Sequence, residues 1–237
     1  NLIYKLRRPC VAFFCGGGIS DLNIYMQLQK IWSGYSDDQY AYITNIISNS
    51  DAKSICEIGT FLGTTAQRIW EAIKHTDKKL YMVDNYMFLP ENKREKFFRA
   101  VKHSIDPETE NIITVLEDSH TYNWQQHNFI IFGHHDADHM LPDLQKLVFS
   151  DVDYAIIGDG IPNCFQRTKA TYELVAQMTG KGLHPQYYLN GLIVLGRKKL
   201  KCTLPTTEDY FFGNKIKYMP KVNKNYRRAI DELRRIH

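Results

Sequence analysis

The segment Ser54-Ile-Cys-Glu-Ile-Gly-Thr-Phe-Leu-Gly-Thr-Thr-Ala-Gln-Arg-Ile-Trp70 decides the fold. It begins with β-prone apolar residues, passes through Gly59 and Gly63, and continues with apolar residues at helical spacing. This pattern predicts a strand, a glycine turn and a helix, a unit that presents backbone N–H groups to a ligand. Gly59 allows a positive φ, and Gly63 allows a close start of the helix. Glu57 adds an acceptor-only carboxylate, which suits an ammonium group or sugar hydroxyls better than a pyrophosphate.

The turn has the form of a known cofactor motif. Its residues Glu57-Ile-Gly59-Thr60-Phe-Leu-Gly63 resemble the first motif, Glu/Asp-x-Gly-x-x-x-Gly, of the class I S-adenosylmethionine-dependent methyltransferases. The resemblance implies that S-adenosyl-L-methionine is the cofactor and that Glu57, Gly59, Thr60 and Gly63 bind it. The turn is also compatible with an ordinary α/β protein, in which the glycines serve the turn alone.

Apolar β-type segments alternate with helical patterns along the rest of the chain. We predict strands at 79–84, 112–116, 128–132, 152–157 and 191–196, and helices at 21–32, 37–48, 90–104, 142–148 and 165–178. This alternation predicts an α/β fold with a doubly wound, mostly parallel, Rossmann-like sheet and helices on both faces. We divide the chain into an N-terminal helical cap (1–50), the cofactor-binding methyltransferase domain (51–200) and a basic C-terminal extension with a helix (201–237).

Acidic and hydroxyl side chains follow the predicted strands. These residues are Glu57, Asp84, Asp118 with Ser119, Asp136 and Asp159. Ligands of open α/β sheets bind outside the carboxyl ends of the strands, so we expect these side chains to gather at one edge. Asp84 lies 21 residues after Gly63, near the spacing of ~20 at which an acid binds ribose hydroxyls, although it could instead cap a helix. The resemblance places Asp118 and Ser119 near the adenine, but Asp-Ser is also common turn chemistry.

The segment Asp136-Ala-Asp138-His139 resembles the small-molecule O-methyltransferases of the macrocin type. This resemblance implies that Asp136 contributes to catalysis and cofactor binding, and that His139 is the general base. It further implies that Asp136 and Asp159 hold a divalent cation such as Mg²⁺. Gly160 stands where a second acid or an asparagine would complete that metal site. Alternatively, His139 is a structural histidine that caps the next helix.

Composition limits the class of protein and its partners. A chain of 237 residues with 43% hydrophobic and 24% charged residues fits one soluble domain with a small appendage. Its apolar runs are far shorter than the ~20 residues that span a bilayer, so we expect no membrane segment. Five scattered cysteines without a Cys-x-x-Cys spacing indicate reduced thiols and a cytoplasmic protein. A net charge of +4 does not indicate a nucleic-acid partner. The C-terminal helix is expected to dock on the sheet or on a second subunit, which allows a homo-oligomer.

Taken together, these features predict O-methylation of a small hydroxylated acceptor. The acceptor pocket is expected between the strand ends, the helices within 21–48 and the segment 160–190. Two other functions fit the sequence. The segment Asp136-Ala137-Asp138 resembles the metal and nucleotide-sugar motif of GT-A glycosyltransferases, and a non-catalytic Rossmann-like binding module would keep the cofactor contacts alone.

Overall fold

The computed structural model describes residues 35–87, 89–133, 137–158, 165–189 and 192–204. The helices are α1 (Asp37–Asn49), α2 (Thr64–Ile73), α3 (Glu91–Ile105), α4 (Ala137–Val148) and α5 (Phe165–Gly180). The strands are β1 (Ser54–Ile58), β2 (Lys79–Val83), β3 (Ile112–Val115), β4 (Phe129–Phe132), β5 (Tyr154–Ile157), β6 (His184–Leu189) and β7 (Leu192–Gly196). A short 3₁₀ helix, Trp124–Gln126, precedes β4.

Within the described residues, the strands form one sheet in the order β3-β2-β1-β4-β5-β7-β6. The pairs from β3 through β5 are parallel, whereas β7 pairs antiparallel with both β5 and β6. The predicted doubly wound, mostly parallel Rossmann-like α/β fold is therefore confirmed. The chain order reverses between β1 and β4, which makes the carboxyl ends of these two strands the switch point where ligands of such sheets bind.

Helices cover both faces of the sheet and enclose two apolar clusters. One cluster lies under α1, α2 and α3, and it includes Ile43, Ile69 and Phe97. The other lies under α4 and α5, and it includes Leu144 and Val175. Each central strand contributes to both clusters because successive side chains point to opposite faces, so the strand must be apolar throughout.

The predicted helix 37–48 agrees with α1 to within one residue, and its start is specified locally. Ser36 and Gln39 form a capping box, in which Ser36 Oγ accepts from Gln39 N at 3.2 Å and Gln39 Oε1 accepts from Ser36 N at 2.8 Å. Tyr35 precedes the cap and contacts Tyr40, one turn into the helix, with the ring centroids 5.6 Å apart. This pair is a hydrophobic staple that fixes the direction in which the chain enters α1.

The start of α4 and the presence of β6 are the main differences between the predicted elements and the described structure. Helix α4 begins at Ala137, five residues before the predicted start, and contains Pro142 in its interior. Proline is tolerated in the first turn of a helix but removes a backbone N–H donor from its interior, so the observed helix passes through a residue that usually interrupts one. Strand β6 was not predicted, because its segment lacks the alternation of apolar and polar residues and contains Pro185. The strand lies at the edge of the sheet, where one side of its backbone forms no hydrogen bonds with a neighbouring strand, so a proline is tolerated there.

Several predictions concern residues outside the described ranges. The helix predicted at 21–32 and the C-terminal helix lie there, so the division into three parts stays a prediction. Among the described helices, none has the length and apolar character needed to cross a membrane. Two described cysteines, Cys56 and Cys202, have free thiols.

A buried histidine makes the stability of this fold dependent on pH. His127 is 4% exposed, its Nε2 lies 2.8 Å from the Tyr122 hydroxyl, and its ring lies tilted against that of Tyr81, with the ring centroids 4.1 Å apart. Burial lowers the pKa of His127 to about 4, from 6.5 for the free side chain. Between these two pH values the unfolded chain binds a proton that the folded protein excludes, so stability falls as the pH drops through this window.

We predict that His127→Gln flattens the acid limb of the stability curve. The wild type should lose about 1–3 kcal/mol of unfolding free energy between pH 6.5 and 4.5 through His127, because one pKa unit corresponds to about 1.4 kcal/mol. Urea titrations at several pH values measure this loss. The matched control is His103→Gln, at an exposed position on α3, which should keep the wild-type slope. A wild-type slope in His127→Gln would contradict the prediction.

Candidate cofactor-binding site

The loop between β1 and α2 forms the tight glycine turn that the sequence predicts. Gly59 has φ 84° and Gly63 has φ 74°, conformations that favour glycine. Gly59 N donates to Val83 O at 2.9 Å, and Gly63 N donates to Thr60 O at 2.8 Å. The turn is thereby attached to the carboxyl end of β2 and folds back on itself before α2 begins.

The carboxylate of Asp84 joins this turn to the loop that follows β2. Asp84 Oδ2 accepts from Phe61 N at 2.8 Å, and Asp84 Oδ1 accepts from Tyr86 N at 2.8 Å. Phe61 and Tyr86 both have positive φ, 48° and 46°, which is uncommon for side chains of this size. The Tyr86 hydroxyl also donates to Phe61 O at 2.8 Å. The Asp84 carboxylate thus holds the loops after β1 and β2 together.

A cavity of about 120 Å³ opens between the ends of β1, β2 and β3. Its walls are formed by Ile58, Gly59, Val83, Asp84, Asn85, Met87, Glu117, Asp118 and Ser119. Asp118 is fixed on both oxygens, since Oδ2 accepts from Asn85 Nδ2 at 2.7 Å and Oδ1 accepts from His120 N at 2.8 Å. Four residues predicted to bind the cofactor, Gly59, Asp84, Asp118 and Ser119, therefore line one cavity.

Glu57 lies beneath the turn and does not line this cavity. It is 2% exposed, on the face of β1 that α1 and α2 cover. Among the described residues, Glu57 Oε2 and Thr60 Oγ1 are buried without a hydrogen-bond partner. Burial raises the pKa of Glu57 to about 8. Burial thus favours the protonated form of Glu57 in the ligand-free protein, and its role in cofactor binding stays a prediction.

The residues predicted for catalysis and metal binding lie largely outside the described part of the chain. Asp136 and Asp159 fall in the undescribed segments 134–136 and 159–164. His139 is the third residue of α4, and nothing is described of its side chain. The described residues contain no group of three or more His, Cys, Asp or Glu side chains that could hold a metal ion. The metal site and the base therefore stay predictions.

Tyr35 is a residue at this edge of the sheet that the sequence analysis missed. Its hydroxyl donates to Phe132 O at 3.5 Å, at the end of β4. A Cβ atom on Gly158, at the end of β5, would lie 2.0 Å from the Tyr35 hydroxyl oxygen. Tyr35 thus covers the ends of β4 and β5, on the side of the switch point opposite the cavity. Its position before the capping residue Ser36 is the signal that could have identified it.

We predict that Gly158→Ala destabilises the protein through Tyr35. The added methyl group would overlap the Tyr35 hydroxyl and approach Phe132 O to 2.9 Å, so we expect a loss of about 1–3 kcal/mol. Urea unfolding of a double-mutant cycle measures the coupling: the loss should be smaller in a Tyr35→Ala background. Gly180→Ala, where an added Cβ meets nothing within 4 Å, is the control. Equal losses in both backgrounds would disprove the contact.

We predict that Glu57→Gln stabilises the ligand-free protein at neutral and higher pH. The pKa of Glu57 is about 8 in the folded protein and 4.5 in the free side chain. Between these pH values the folded protein retains a proton that the unfolded chain releases, so wild-type stability falls as the pH rises through this window. A glutamine amide does not ionise in this range, so the variant avoids this pH-dependent loss. We expect its free energy of unfolding to exceed that of the wild type by about 2–4 kcal/mol at pH 7. Unfolding curves at pH 5 and pH 8 test this. A gain that does not grow with pH would contradict it.

Comparison with known proteins supports the fold described above. No protein-family model and no curated protein sequence matches the chain. The structure is similar to that of the SAH-bound methyltransferase PaMTH1 of Podospora anserina, with a TM-score of 0.54 and 12% identity over 84% of this chain and 97% of that chain.

Two further solved structures match at lower similarity. The O-methyltransferase of Bacillus cereus in complex with SAH gives a TM-score of 0.49 and 13% identity over 77% of this chain and 93% of that chain. Human N-acetylserotonin methyltransferase in complex with SAM gives a TM-score of 0.48 and 13% identity over 74% of this chain and 55% of that chain. At 12% identity the PaMTH1 match shows the fold alone: the chain has the same α/β fold as that protein.

Proposed function

We propose that the chain is an S-adenosyl-L-methionine-dependent methyltransferase that methylates a hydroxyl group of a small molecule. The observation that carries this proposal is the cavity beside the switch point, which brings Gly59, Asp84, Asp118 and Ser119 together. A glycine turn alone would fit many α/β proteins. A carboxylate at the end of the second strand, facing the same cavity as the turn, matches a ligand that presents ribose hydroxyls.

The cavity suits the nucleoside end of the cofactor. The Asp84 carboxylate, which lines the cavity, would accept from the ribose hydroxyls. The Asn85–Asp118 pair and Ser119 supply polar groups on the opposite wall. Met87, which is 57% exposed at the opening, offers an apolar and polarisable surface for the adenine ring.

The amino-acid end of the cofactor would lie near the glycine turn. Buried polar atoms without a partner are rare in proteins, and such atoms at a site indicate a missing ligand or water. Glu57 Oε2 and Thr60 Oγ1 are two such atoms beneath the turn. A bound ammonium group would lower the pKa of Glu57 and restore the carboxylate that the sequence analysis expects.

When bound, S-adenosylmethionine supplies an activated methyl group, so the protein has to position the acceptor and take up its proton. We assign the acceptor to the ends of β4 and β5, where Tyr35 covers the sheet and α4 begins. His139, in the first turn of α4, is the proposed base, and Asp136 directly precedes that helix. A divalent cation such as Mg²⁺ on Asp136 and Asp159 is the corresponding proposal for lowering the acceptor's pKa.

The fold shared with SAH-bound PaMTH1 supports the methyltransferase over a GT-A glycosyltransferase. A nucleotide-sugar site would also leave the glycine turn and Asp84 without a role. A non-catalytic binding module keeps the same cofactor contacts, so measurements of turnover separate it from an enzyme.

We predict that the full chain binds S-adenosylmethionine and S-adenosylhomocysteine with micromolar affinity and does not bind a UDP-sugar. Isothermal titration calorimetry measures all three ligands. Gly59→Val should abolish binding of both adenosyl ligands, because valine cannot adopt the φ of 84° that the turn requires. Gly180→Ala, at the end of α5, should bind as the parent does. Binding of the UDP-sugar alone would overturn the proposal in favour of a glycosyltransferase.

Turnover tests the remaining roles. In a methyl-transfer screen against small hydroxylated acceptors, His139→Ala should reduce turnover by about 10²-fold while cofactor affinity is retained. Loss of turnover on treatment with EDTA, restored by Mg²⁺, would support the cation. Unchanged turnover in His139→Ala would show that His139 is not the base and would favour the alternative that it caps the helix.

A further inference from the structure

The wall of the cavity that contains Ser119 is held from outside by a helix that does not line the cavity. Lys146, on α4, donates through Nζ to the carbonyl oxygens of Ser119, at 3.3 Å, and His120. The indole Nε1 of Trp124 donates to the same Ser119 oxygen at 3.1 Å. Trp124 is fully buried, and its Nε1 also lies 3.4 Å from Oδ1 of Asp143, a fully buried residue of α4.

These contacts fix one peptide unit, the one that joins Ser119 to His120, at both of its ends. Its oxygen accepts from Lys146 and Trp124, and its N–H donates to Asp118 Oδ1 at 2.8 Å. A peptide unit is planar, with its C=O and N–H groups pointing in opposite directions, so fixing the oxygen also directs the N–H. The orientation of the Asp118 carboxylate therefore depends on the contacts that the Ser119 oxygen makes.

The orientation of the Asp118 carboxylate affects the cavity through one more hydrogen bond. The second Asp118 oxygen accepts from Asn85 Nδ2 at 2.7 Å, and both residues line the cavity. Lys146 is thus connected through the Ser119–His120 peptide and Asp118 to the polar wall of the proposed nucleoside site. Without the lysine, the Ser119 oxygen would keep the Trp124 donor as its one side-chain donor from the described residues, and the His120 oxygen would lose the ammonium group.

We propose that Lys146 is a positioning residue for the nucleoside end of the cofactor. It acts through the loop 118–120 and touches neither the cofactor nor the reacting atoms. This inference rests on the proposed function and deepens it, because it assigns part of the nucleoside specificity to a residue of α4. The same helix begins five residues after the end of β4, where the acceptor is proposed to bind, so α4 connects the proposed acceptor and nucleoside positions.

The test compares two ligands that share the nucleoside and differ in the amino-acid end. Lys146→Met removes the donors and keeps the aliphatic stem. It should weaken the binding of S-adenosylhomocysteine and of adenosine by the same factor, about 10-fold, in calorimetric titrations of the full chain. Lys146→Arg restores N–H donors and should bind within about threefold of the parent. Amide hydrogen exchange of His120 should be faster in Lys146→Met.

Lys102→Met is the matched control. Lys102 is also a half-buried lysine on a helix, α3, and its substitution changes the net charge equally without touching the cavity wall. It should leave both affinities at the parental values. If Lys146→Met does not fold, Lys146→Leu, which likewise removes the N–H donors and keeps an apolar side chain, takes its place in the comparison.

Three results would overturn the inference. The first is parental affinity for both ligands in Lys146→Met. The second is a loss for S-adenosylhomocysteine alone, which would place the effect at the amino-acid end. The third is an equal loss in Lys146→Arg, which would show that the hydrogen bonds are not responsible. A parent chain that binds neither ligand would instead overturn the proposed function, and this inference with it.

Discussion

The candidate site depends on the pair of hydrogen bonds that the Asp84 carboxylate accepts from Phe61 N and Tyr86 N. Each of these residues has a positive φ, a conformation that costs of the order of 1–3 kcal/mol. A hydrogen bond to a charged group contributes about 1.5–3 kcal/mol, which is enough to offset that cost, whereas a neutral acceptor contributes less. The two turns beside the switch point can therefore keep their shapes because a carboxylate, and not an amide, stands at the end of β2.

A second carboxylate, Asp118, joins two loops in the same way at the end of the neighbouring strand β3. Asp84 joins the loops after β1 and β2, and Asp118 joins the loops after β2 and β3 through Asn85. Both carboxylates line the cavity, so the groups that shape it are also groups that a ligand would contact. A site held in this way is formed before the ligand arrives, and binding then requires little ordering of the protein.

The sheet explains why Glu57 behaves differently from these two acids. Asp84 and Asp118 follow their strands, where the chain leaves the sheet and meets solvent or a ligand. Glu57 precedes the last residue of β1, beside Met82 of β2 and Ile131 of β4. Its neighbours in the sheet are apolar and α2 covers it, so desolvation raises its pKa to about 8. The three acids near this edge thus differ in burial and in hydrogen bonding according to their distance from the strand end.

The sequence by itself determined the alternation of strands and helices, the glycine turn and the position of Asp84, because periodicity, glycine conformation and residue spacing are local properties. It also predicted that Gly59, Asp84, Asp118 and Ser119 would share one edge, since parallel strands bring their carboxyl ends together. Only the tertiary structure decided which acids are buried, that Tyr35 covers Gly158, that β6 forms, and that Lys146 holds the loop at Ser119. Each of these depends on residues distant in sequence, whose contacts follow from how the helices pack on the sheet and not from any local pattern.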